Sequence, residues 1–119
     1  MAARVPLKEE AGGTFEVFHR PRQALLCGDM NFPAWAAERE RILAPFAGGE
    51  PAFRDAWEVL HAGKPHAPTC GIHPVDFVDR PECFDFVFVT DGLAGRLRAH
   101  GIDAATQASD HQPVWVKFA

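Results

Sequence analysis

The stretch Phe84-Asp85-Phe86-Val87-Phe88-Val89-Thr90 leaves its backbone little choice. Aromatic and β-branched side chains fill it, and such side chains fit a pleated, half-buried surface. A period of two puts Phe84, Phe86 and Phe88 on one face and Asp85, Val87 and Val89 on the other. Asp85 is the misfit. A carboxylate inside so apolar a strand needs a partner, because an unpaired buried charge is expensive.

Two further strands frame this one. Residues 24–28, ALLCG, are a short apolar run that stops where Gly28 frees the backbone. Residues 113–118, PVWVKF, end the chain, with Val114, Val116 and Phe118 on one face. A turn at Gly92 to Gly95 leads into a possible amphipathic strand over 97–106. Pro33 suits the first turn of a helix. Trp35, Ile42 and Phe46 recur near helical spacing through AWAAERERILAPF, which Pro45 and Gly48-Gly49 stop. FRDAWEVLHAG (53–63) reads as a second helix. Residues 64–83 hold four prolines and no periodicity, so they read as a long loop. Residues 1–23 read as a lead-in: a polar helix remnant, a turn at Gly12-Gly13, then a short strand or exposed loop around Phe15 and Val17.

The 119 residues suggest one domain. If the last three strands form a meander, 84–90 and 113–118 run parallel with 97–106 between them. The expected fold is α/β (α+β): a small mixed sheet with helices on one face. The net charge of −4 gives no basic surface for non-specific nucleic-acid binding. An acidic chain still acts on phosphates when a divalent cation neutralises its carboxylates. Three cysteines suggest no disulfide framework, and no apolar run approaches the ~18 residues of a membrane span. The N-terminal stretch lacks the apolar core of a signal peptide, so a cytoplasmic setting is the expectation.

Polar residues gather at strand ends. Asp29 and Asn31 follow the first strand, Asp85 opens the phenylalanine strand, and Ser109, Asp110 and His111 lead into the last. If the first strand runs antiparallel to the other two, Asp29, Asn31, Asp85, Asp110 and His111 form one site. Carboxylate and amide oxygens are hard ligands that suit Mg²⁺ or Mn²⁺. A carboxylate can take a proton from an attacking water, and a histidine held by an acid can donate to a phosphate oxygen. Such a set suits metal-assisted hydrolysis of a phosphate ester. Taken singly, Gly-Asp-Met-Asn is also a common Asx turn, and Ser-Asp before a strand is also a cap.

LLCGDMN, FDFVFV and SDHQPVWV, in this order, together with DAWEVLH between the first two, resemble the C-terminal half of the endonuclease/exonuclease/phosphatase superfamily, the DNase I-like fold. The resemblance covers roughly residues 20–119. It implies half of a four-layer α/β/β/α sandwich and a metal-dependent phosphoesterase, nuclease or phosphatase, activity. It implies that Asp29 orients or deprotonates the attacking water and that Asn31 holds the scissile phosphate. Asp110, with Asp29, would serve the metal; His111 would contact the phosphate; Asp85 would orient His111. Either an Asp or a His would be the base.

The family's first half carries an early Asn, a metal-binding Glu and a further His. None of Glu9, Glu10 and Glu16 stands in a matching context, and Phe86 stands where the family often has Tyr. The chain is therefore expected to be an incomplete domain, either truncated or completed by a complementary N-terminal half. One face of the phenylalanine strand, either the phenylalanines or Val87 and Val89, would then lie open. The competing reading is a catalytically inactive remnant or interaction module of the same fold. A third is a zinc-stabilised loop built on His66, Cys70, His73 and Cys83, although their spacing matches no common paired-ligand pattern. His61 and His100 read as surface residues, and Glu38 to Arg41 as a solvated helix face.

Overall fold

The computed structural model describes residues 21–74 and 78–119. The helix remnant, turn and strand expected before residue 21 lie outside these. Among the described residues the elements run β1 (Leu25–Asp29), α1 (Ala37–Leu43), β2 (Phe53–Asp55), α2 (Ala56–Leu60), β3 (Asp85–Thr90), α3 (Asp91–Ala94), β4 (Leu97–Ile102) and β5 (Val114–Phe118). They build an α+β fold from two antiparallel sheets, β1-β3-β2 and β4-β5.

β3 is the organising element. β1 pairs with it from Leu25 opposite Val89 to Asp29 opposite Asp85, and β2 takes the other edge, with Phe53 opposite Thr90. Both faces of β3 are covered. Phe86 and Phe88 pack with Cys83 beneath the half-buried Phe32, Ile42, Leu43 and Phe53. Val87 and Val89 pack with Ala56, Ala94 and Leu97, and β5 adds Val114, Val116 and Phe118. Each fully buried side chain of this size contributes roughly 1.5–3 kcal/mol. The expectation that one face of β3 lies open is therefore corrected. The second sheet and α2 cover the valines, and α1 with the segment after β1 covers the phenylalanines. Large apolar exposure falls elsewhere, at Leu25, Leu26, Trp35 and Trp115 among others.

The expected meander and single mixed sheet do not form. A strand has two hydrogen-bonding edges, and β1 and β2 occupy both edges of β3. The chain leaves β3 through α3 rather than a tight turn, and β4 pairs instead with β5, Ile102 opposite Val114. The 53–63 stretch is not one helix either. Asp55 closes β2 and caps α2, its Oδ1 accepting from Trp57 N at 2.9 Å. α1 ends at Ala44, whose ψ of 143° is extended, the conformation that a following proline favours.

In the Glu38–Arg41 run, Glu38, Glu40 and Arg41 are exposed as expected of a solvated face, but Arg39 is not. Arg39 is buried: its Nε and Nη2 each lie 3.0 Å from Asp55 Oδ2, and Nη2 also pairs with Glu58. His66 Nε2 reaches the same Asp55 oxygen at 2.7 Å. This network fastens α1 to the β2–α2 junction. His61 and His100, expected at the surface, are partly buried around Trp57, with ring centroids 4.2 and 5.5 Å from it. Among the described residues no helix is long and apolar enough to cross a membrane.

Candidate active site

The β1–β3 register sets Asp29 directly across from Asp85 at one end of the sheet. The ladder runs one step further, with Met30 N donating to Phe84 O at 2.8 Å. The chain then turns sharply. Asn31 takes φ 58°, the left-handed region that a short amide side chain tolerates better than most. Its backbone N–H donates to Asp29 Oδ1 at 2.8 Å. The Asx turn read as the bland alternative is thus present, and it occupies one oxygen of Asp29 while orienting the other.

His111 reaches this place through Cys70. Cys70 forms β-bridges to both Glu82 and His111, so the loop after Pro68 ties the entrance of β3 to the segment before β5. Gly71 makes the bend possible: its φ is 77°, and a Cβ there would lie 2.8 Å from Arg80 O. His111 Nδ1 donates to Asp85 Oδ2 at 2.7 Å, and Nε2 points towards Asp29 Oδ2, 3.7 Å away. The hydrogen bond to Asp85 holds the imidazole above its ordinary pKa of 6.5, against the opposing effect of burial. The charges of Asp85, Asp29 and Asp110 act in the same direction as that bond.

Asp29, Asp85 and His111 each offer a ligand atom, and these atoms lie within 4.8 Å of one another. Two carboxylates and one imidazole can hold a divalent ion. The oxygens suit Mg²⁺ and Mn²⁺ alike, and the imidazole nitrogen shifts the balance towards Mn²⁺. Asp110, named with Asp29 for the metal, lies outside this group. Its carboxylate accepts from Ser109 Oγ at 3.3 Å, and its carbonyl accepts from Cys70 Sγ at 3.3 Å.

The zinc-loop residues part ways. Cys70 and Cys83 are buried, Cys83 Sγ donates to Asp85 O, His66 binds Asp55, and His73 Nε2 meets Ala104 O at 2.9 Å. One residue of the site carried no signal in the sequence. Thr69, fully buried, donates from Oγ1 to Asp85 Oδ2 at 2.6 Å. Its only hint was the general need of a buried acid for donors, which names no particular residue of a proline-rich loop. Comparisons with family models, with curated proteins and with solved structures each find no match to this chain.

Proposed function

We propose that this chain carries the site of a metal-dependent phosphoesterase of the endonuclease/exonuclease/phosphatase type, acting on a phosphodiester or phosphomonoester. The observation that carries the reading is the convergence of Asp29, Asp85 and His111 at the end of the β1–β3 ladder. Asp29 Oδ2 is the oxygen left facing His111 once Oδ1 binds the Asn31 N–H. It is placed to take a proton from an attacking water. His111, charged more readily because Asp85 holds its Nδ1, presents Nε2 to a phosphate oxygen. Asn31 adds an exposed amide beside them to donate to the same phosphate. A divalent ion held by the Asp29 and Asp85 carboxylates beside His111 would supply charge neutralisation and a more acidic water, leaving His111 Nε2 for the phosphate. Asp110 adds negative charge near His111 rather than a ligand.

The inactive-module reading has one observation in its favour. Among the described residues the candidate ligand set is three side chains, none of them a Glu, so a complementary polypeptide carrying a further acid would complete it. The experiment is turnover of bis(p-nitrophenyl) phosphate and p-nitrophenyl phosphate by the purified chain with Mn²⁺ or Mg²⁺. Expected is metal-dependent release of nitrophenol, abolished by EDTA and reduced at least about 100-fold in Asp29→Ala. A folded protein with no metal-dependent turnover on either ester contradicts the proposal and leaves the module reading.

A further inference from the structure

We infer that Thr69 is the positioning residue of the Asp85–His111 pair, an inference that rests on the reading of that pair as the working part of the site. The Thr69 side chain is buried completely, and every hydrogen-bonding capacity of its hydroxyl is used. Oγ1 accepts from Phe84 N at 3.0 Å and from Asp85 N at 3.2 Å. A hydroxyl has two lone pairs and one hydrogen. With both lone pairs taken by the backbone, the hydrogen has one direction left, and there it meets Asp85 Oδ2 at 2.6 Å.

That oxygen is the one His111 Nδ1 also uses, at 2.7 Å. Asp85 needs such a restraint. Asp29 stands directly opposite it in the ladder, and two like charges facing each other across a sheet repel. Left free, the Asp85 carboxylate would rotate away from Asp29 and lose its line to His111. The Thr69 hydroxyl fixes the rotation. The Thr69 backbone fixes the other partner: its carbonyl accepts from Gln112 N at 2.7 Å, next to His111, and its N–H donates to Glu82 O at 2.9 Å. One residue therefore holds Asp85 from the side chain and His111 from the main chain.

The test needs neither metal nor substrate. In EDTA at fixed pH, the His111 Hδ1 proton of the wild-type chain is expected far downfield in the NMR spectrum, as a proton shared with a carboxylate. Thr69→Ser, which keeps the hydroxyl, retains the signal. Thr69→Val, which keeps the shape, loses it, while amide signals remote from residues 69, 84–85 and 110–112 stay in place. A folded Thr69→Val with the Hδ1 signal unmoved overturns the inference, as does a wild-type spectrum lacking that signal. Should Thr69→Val not fold, the wild-type chain decides. Its Thr69 hydroxyl proton should exchange slowly with water and show a nuclear Overhauser contact to His111; a rapidly exchanging hydroxyl overturns the inference. Because no turnover is read, this result stands apart from the hydrolysis experiment.

Discussion

At the scale of single residues, the chemistry is set by which atoms are already spoken for. Asp85 Oδ2 receives both Thr69 and His111, while Asp29 spends one oxygen on a turn and turns the other to His111. The sign of the pH dependence follows. His111 is held above 6.5 in the folded chain, so its stabilising contribution is fully present below 6.5 and fades as pH rises through the raised value. Asp85→Asn removes the largest cause. In metal-free buffer the His111 midpoint of that variant, followed by NMR, should fall below that of the wild type. A midpoint equal to that of the wild type would show that Asp85 is not what raises it. The cysteines divide as sharply. Burial pushes the Cys83 thiol up to about 12 and raises Cys70, whereas Cys27 is exposed on β1. A thiol reagent applied to the native chain should modify Cys27 first, and Cys27→Ser should remove the fast phase. Rapid labelling of Cys83 would contradict its buried placement.

At the scale of elements, the Arg39–Asp55–His66 network is the joint between α1 and the β2–α2 corner. Burial alone would raise the Asp55 carboxyl, but its bonds to His66 and Arg39 outweigh that and hold it below 3.8. Its contribution to stability is therefore present above 3.8 and lost as pH falls through the lowered value. Arg39→Met leaves Asp55 and Glu58 short of a cation, and should cost roughly 3–5 kcal/mol in urea denaturation at neutral pH. A loss below about 1 kcal/mol would mean that the network is solvated. The same joint shows what the sequence could and could not convey. Alternation made β3 legible, and the apolar run up to Gly28 made β1 legible as a strand, although β1 is exposed where so apolar a run suggested burial. β2 was hidden because three residues are too few for a period to show, and because Asp55 serves as both strand end and helix cap. Arg39 looked solvent-facing because its partners, Asp55 and Glu58, lie far along the chain.

At the scale of the whole molecule, β3 is covered on both faces and paired on both edges, so the two clusters of apolar side chains share one strand. Asp29, Asp85 and His111 cluster where that strand begins, so their proximity was legible from strand ends alone. Thr69 could not be named, because it arrives from an aperiodic loop. The position of Asp110 outside the ligand group was equally invisible, since neighbours in sequence at a turn point different ways. The most direct measurement is an Mn²⁺ titration of the metal-free chain, followed by paramagnetic broadening of its NMR signals. Substoichiometric Mn²⁺ should broaden the side chains of Asp29, Asp85 and His111 together, with the effect lost in Asp29→Ala. Broadening centred on His66 or His73, or unchanged in Asp29→Ala, would show that the ion does not bind at these three groups.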